Sequence, residues 1–142
     1  MDRIEGFCGE YRFLSNFAFA RVTLDGVVYS TTEHAYQAAK TLDSSKRAMI
    51  KIAKTPGVAK RLGKLLELRE DWLDVREGIM TDLLIQKFSQ PEYMHQLLST
   101  GDAYLEETNT WNDTFWGVCS GKGLNRLGHI LMQIRSDLRQ IV

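Results

Sequence analysis

The sequence has little of what marks many functional classes. Its two cysteines, Cys8 and Cys119, are too few for a disulfide framework, and neither stands in a CxxC or Cys/His spacing that would hold zinc. His34, His95 and His129 lie far apart, none of them four residues from another candidate ligand, so no metal site is expected and surface positions are their default. There is no internal repeat, low-complexity tract or linker. No apolar run approaches the roughly 20 residues of a membrane span. Met1-Asp2-Arg3-Ile4-Glu5 lacks the basic-then-apolar order of a secretory signal. Net charge is also absent: 18 Lys+Arg balance 18 Asp+Glu, which argues against a protein that coats nucleic acid electrostatically. With 142 residues and 44% hydrophobic content, the expectation is one soluble, cytoplasmic domain over residues 1–142.

What is present is local. From Lys46 to Arg69 eight basic residues face one acid, Glu67. From Asp102 to Asp113 four acids face no base. The basic segment reads either as a solvated helix face or as a phosphate-contacting surface beside a carboxylate-bearing site.

The first 30 residues have strand character at Tyr11–Leu14, Arg21–Leu24 and Val27–Tyr29. Asp25-Gly26 between two β-branched runs is a strong hairpin signal. A helix is expected over Glu33–Lys40, capped by Thr31 or Thr32. A second follows Ser44, with Met49, Ile50 and Ala53 on one side. A third starts at Thr55-Pro56, with Val58, Leu62, Leu65 and Leu66 as its apolar stripe. Asp71–Phe88 repeats Trp72, Val75, Ile79 and Leu83 at helical spacing. Pro91 opens a further helix that ends at Gly101, and Leu124 to Leu138 forms the last. Tyr104–Gly123 has no period, yet Trp111, Phe115 and Trp116 argue against disorder there.

Two phosphate signatures nearly occur and both fail. Gly117-Val118-Cys119-Ser120-Gly121-Lys122 is one residue short of a P-loop, and Gly121, Gly123 and Gly128 lack dinucleotide-binding spacing. The segment still runs into a helix near Leu124-Asn125, where backbone N–H groups could hold a phosphate; the alternative is a tight turn that glycine permits. Cys119 is a weak nucleophile candidate. Glu33, Gln37 and Lys40, spaced i, i+4 and i+7, share one helix face with Tyr36 beside them. They form either a surface polar chain or a buried acid–amine site. Asp113 among Trp111, Phe115 and Trp116 suits ribose or base binding, or else a loop packed on the core. Trp72 and Lys87 read as core packing and a snorkelling amine.

Read in order, Phe13-Leu14-Ser15-Asn16-Phe17, Ser30-Thr31-Thr32-Glu33-His34-Ala35-Tyr36-Gln37-Ala38-Ala39-Lys40, Trp72 to Met80, Lys87-Phe88, Leu98 to Gly101, Glu106 through Asp113-Thr114-Phe115-Trp116-Gly117, and Gly123 to Met132 form a pattern. It resembles the NADAR, or YbiA-like, family of N-glycosidases associated with NAD and ADP-ribose metabolism, over nearly the whole chain. The resemblance implies an α+β, predominantly helical compact domain with a small N-terminal β-hairpin. It implies hydrolysis of a ribose C1–N bond, with no metal and no cofactor. Two substrate classes come with it: ribosylated pyrimidine phosphates of early riboflavin biosynthesis, and ADP-ribose attached to guanine in nucleic acid. A toxin–antitoxin setting, with the chain as antitoxin, belongs to the second. The alternative is a non-catalytic module that binds ADP-ribose or NAD.

In that frame Glu33 and Asp113 are the catalytic carboxylates facing an oxocarbenium-like ribose. Lys40 is a nucleophile forming a Schiff base, or a phosphate ligand. Phe17, Tyr36, Trp72 and Trp116 line the substrate pocket, Asn16, Asn125 and the Gly117 amides hold hydroxyls and phosphates, and Lys87 meets a pyrophosphate.

Overall fold

The computed structural model describes residues 2–142. In chain order its elements are β1 (Arg3–Glu5), a 3-10 helix (Gly9–Leu14), β2 (Phe19–Leu24), β3 (Val27–Thr31), α1 (Thr32–Ala39), α2 (Ser44–Lys51), α3 (Pro56–Gly63), α4 (Trp72–Phe88), α5 (Pro91–Ser99), β4 (Tyr104–Glu106), β5 (Thr108–Asn109), β6 (Val118–Cys119) and α6 (Arg126–Ile141). The architecture is α+β and mainly helical, with two-stranded sheets. No described helix is long and apolar enough to cross a membrane. The chain gathers into two compact units, one running Asn16–Lys87 and the other joining the N-terminal segment through Ser15 to Phe88–Val142.

In the Asn16–Lys87 unit, β2 and β3 form the expected antiparallel hairpin. Asp25 and Gly26 both take positive φ, 48° and 82°, as the type I′ geometry that matches strand twist requires. The hairpin delivers the chain to α1. Thr31 caps that helix by accepting from the His34 N–H at 3.0 Å. Every residue of α1 is buried, because the helix is packed against β2, β3, α2 and α3. Three alanines, Ala35, Ala38 and Ala39, are fully enclosed and let these neighbours come close. Asp43 and Thr55 cap α2 and α3.

Three apolar stripes differ from expectation here. Helix α3 ends at Gly63 and buries Ala59 and Gly63, while Leu65 stands 83% exposed beyond it. The small residues face α1 because the Ala-rich helix demands a close approach. Of the α2 set, Ile50 is buried and Met49 is exposed. Along α4 the buried positions include Trp72, Met80, Leu83 and Leu84 rather than Ile79.

In the other unit β1 pairs parallel with β4, from Arg3 opposite Tyr104 to Glu5 opposite Glu106. The predicted strand at Tyr11–Leu14 is instead the 3-10 helix, entered through Gly9 at φ 58° and closed by Tyr11 N–H to Cys8 O and Ser15 N–H to Arg12 O. Only Leu14 of that run is buried, not every second residue as a half-buried strand would have it. Helix α6 lays Leu127, Ile130, Leu131, Ile134 and Leu138 into the core against α5 and β4.

Candidate active site

Helix α1 brings Glu33, Gln37 and Lys40 onto one face, and the first two are inside the protein. Gln37 Nε2 donates to Glu33 Oε2 at 2.6 Å. Burial pushes the Glu33 carboxyl up from the ordinary range, and the Gln37 hydrogen bond and the charges of Lys60, Lys40 and His34 partly oppose this. Lys40 closes the helix. Burial pushes its amine down, Glu33 opposes the shift, and the like charges of Lys60 and Lys64 add to it. A desolvated acid and a desolvated amine seven positions further along the same helix are thus both moved toward neutrality.

An aromatic wall adjoins them. The Tyr36 and Trp72 rings, both buried, are 5.2 Å apart and tilted by 52°, and Lys40 Nζ lies 5.9 Å from the Tyr36 centroid. Asn16 meets the start of α1, where its carbonyl accepts from the Glu33 N–H at 3.1 Å. Its side-chain Nδ2 reaches Met80 Sδ at 3.6 Å, while Oδ1 is buried without a partner among the described residues. Thr32 Oγ1 and Gln37 Oε1 are in the same condition. Phe17, next along, is half-buried. Lys87 has no exposed surface at all, which corrects its reading as a snorkelling amine. His34 is likewise no surface histidine: Nδ1 meets Thr31 Oγ1 at 2.7 Å and Nε2 meets the Ala53 carbonyl at 3.0 Å. Lys60 and Lys64 of the basic segment Lys46–Arg69 act electrostatically on Lys40, whereas Gly63, which packs on Gln37, was not singled out from the sequence.

The aromatic loop belongs to the other unit and has a tight internal architecture. Asp113 Oδ1 accepts from the N–H groups of Phe115 and Trp116 at 3.1 and 2.9 Å, and Asn109 Nδ2 donates to the Asp113 carbonyl. That oxygen organises the loop, leaving Oδ2 without a hydrogen bond among the described residues. Trp116 is half-buried with its ring 4.8 Å from Phe115, and Trp111 is exposed. Asn125, 1% exposed, is a clamp: Nδ2 donates to the Leu105 carbonyl and Tyr104 hydroxyl, and Oδ1 accepts from Glu107 N–H. Both amide N–H donors are thereby used, so none is left for a phosphate.

The expected phosphate cradle at the start of α6 is also closed. The N–H groups of Leu124, Asn125, Arg126 and Leu127 donate to the carbonyls of Thr114, Gly117, Phe115 and Trp116. The loop's own backbone fills the place an anion would take. Gly117 and Gly123 serve that closeness: a Cβ at 117 would strike Glu107, and one at 123 would strike the Gly117 carbonyl. Cys119 is buried, so its candidacy as a nucleophile gains nothing.

The family model described as the NADAR domain matches residues 6–139. The N-glycosidase YbiA of Escherichia coli strain K12 is 41% identical over 133 residues, which is 91% of this chain and 82% of that protein. A riboflavin biosynthesis protein of Vibrio vulnificus is 37% identical over 132 residues, 90% of this chain but 36% of that longer protein. The NMR structure of Escherichia coli YbiA superposes with a TM-score of 0.87 at 38% identity, covering 99% of this chain and 86% of that one.

Proposed function

The chain belongs to the NADAR domain family and is an enzyme of the N-glycosidase type, and on that premise we propose that it hydrolyses the C1–N bond of a phosphate-bearing riboside, with Glu33 and Lys40 as its reacting groups. The observation that carries this reading is the pairing on α1 of a buried carboxyl pushed up and a half-buried amine pushed down. Burial thus moves the carboxyl up and the amine down, each toward its neutral form, as a general acid and a nucleophilic amine require.

The lowered Lys40 favours a nucleophile over a phosphate ligand, because a phosphate ligand profits from a full positive charge. The amine adds to ribose C1 while the C1–N bond breaks. The bond's electron pair leaves on the base nitrogen, which takes a proton from the Glu33 carboxyl. The adduct nitrogen returns one proton to the Glu33 carboxylate, the bond from C1 to the ring oxygen breaks, and the remaining N–H proton passes to that oxygen, leaving an imine between C1 and Nζ. Water then adds to C1, the carbon–Nζ bond breaks, and free sugar and the original amine result. Tyr36 and Trp72 flank this chemistry and exclude water. Lys60 and Lys64 supply the positive charge for the substrate's phosphate. Asp113 is assigned to loop architecture rather than to the reaction.

The substrate is ADP-ribose on guanine in nucleic acid, a ribosylated pyrimidine phosphate, or both, in the cytoplasm where such nucleotides arise. The test offers purified protein an oligonucleotide bearing ADP-ribosylated guanine and, separately, a ribosylated pyrimidine phosphate. Free base and sugar are followed by mass spectrometry. Release from either one supports the assignment and names the class. Binding of ADP-ribose by calorimetry with no release from either would make the chain a binding module instead.

A further inference from the structure

Three observations meet at one side chain that the proposed reaction does not use. Gln37 is 4% exposed and its Nε2 holds Glu33 Oε2 at 2.6 Å, while Glu33 Oε1 carries no hydrogen bond among the described residues. The Gln37 Oε1 is buried and unpartnered among them. The amide is pressed against Gly63 of α3, where an added Cβ would fall on Oε1 and Cδ of Gln37. Position 63 is helical and buried, so glycine there is disfavoured by propensity and is explained only by the room it leaves.

An amide has a property that no lysine or arginine shares: it presents a donor on one side and an acceptor on the other. Rotation by half a turn about its last bond exchanges them at nearly constant volume. Facing a carboxylate it donates N–H, and facing a carboxylic acid it accepts O–H. A carboxyl that gives up a proton and takes it back needs such a neighbour, since a fixed donor would hold it ionised and a fixed acceptor would hold it neutral.

We infer that Gln37 is the positioning residue of this site: it holds Glu33 by one oxygen, leaves the other for the reaction, follows the carboxyl through both protonation states, and depends on Gly63 for its place. The inference rests on Glu33 being catalytic. The charged and titratable groups that act on Glu33 are Lys40 and His34 from α1 and Lys60 from α3, and none of them is a neutral donor and acceptor.

The experiment titrates Glu33 directly by carbon-13 NMR in protein labelled at glutamate, with Glu33→Gln identifying the resonance. Turnover of the ADP-ribosyl-guanine oligonucleotide is measured in parallel. Gln37→Met keeps length and removes the polar head. Its Glu33 midpoint should rise by about one pH unit, since a hydrogen bond to the charged form is lost. Its kcat should fall about 10- to 100-fold with KM within about threefold. Gln37→Glu retains shape should the first variant fold poorly. Two adjacent carboxyls should then titrate in two coupled steps, and kcat should recover as pH falls and a shared O–H replaces the amide donor. An unmoved midpoint, or an unchanged kcat where Glu33→Gln is inactive, overturns the role of Gln37 and leaves the catalytic reading intact. Full activity in Glu33→Gln removes that reading itself.

Discussion

Lys40 Nζ lies 5.9 Å from the centroid of the Tyr36 ring, one turn back on the same helix, and carries no carboxylate within ion-pairing distance among the described residues. The ring attracts the charged form weakly, whereas burial and the charges of Lys60 and Lys64 disfavour it. Borohydride added during turnover should therefore trap a substrate-derived mass on the wild-type protein and none on Lys40→Met.

Lys64→Ala removes a like charge from Lys40 and lets its pKa climb toward the ordinary lysine value. At neutral pH fewer amines are then free, so the trapping rate should fall about three- to tenfold. The loss should be recovered by raising the pH. A rate that is unchanged or faster contradicts the nucleophile assignment.

Glu33→Gln should lower turnover by about 10²–10⁴ while keeping the circular dichroism spectrum. It should also stabilise the fold at neutral pH. The folded Glu33 carboxyl is held above its unfolded value, so stability present below the unfolded value is lost as pH rises through the folded one. A neutral amide escapes that loss. The melting temperature of the variant should exceed that of wild type at pH 7, and the gap should close at acidic pH.

Gly63→Ala tests the contact between α1 and α3. Helix propensity alone favours alanine by about 1 kcal/mol, yet the new Cβ displaces the Gln37 amide. A net loss of about 1–3 kcal/mol on thermal unfolding is expected. Turnover should fall with it, as in Gln37→Met, and a gain in stability at full activity would contradict the packing.

Asn125→Ala should lower stability by about 2–4 kcal/mol, because three hydrogen bonds are lost at a residue in the left-handed region, φ 51°. KM measured on the folded fraction should stay close to wild type, in contrast with a ligand-contacting asparagine.

The hairpin, the caps at Thr31 and Thr55, and the face shared by Glu33, Gln37 and Lys40 were legible in the sequence because each depends on neighbours within a few residues. Other features depend on distant partners and were not. β1 is only three residues long and exists through its pairing with β4, a hundred residues away. The buried face of α3 is chosen by α1 and so favours Ala59 and Gly63 over the leucines that periodicity selects. The glycine-rich entry to α6 read as an anion cradle because sequence shows which N–H groups a helix start exposes, not which carbonyls reach them. His34 looked like a surface residue because its acceptor, the Ala53 carbonyl, comes from the connection between α2 and α3, nineteen residues along the chain.

The four N–H groups that link residues 124–127 to the carbonyls of 114–117 have a dynamic consequence. None can exchange its hydrogen with solvent unless the loop peels from the helix. The peeling breaks all four bonds together, so the aromatic loop and the first turn of α6 open as one cooperative unit. A stretch without sequence period is thus tied backbone to backbone to the start of a helix, and Trp116 is carried with both.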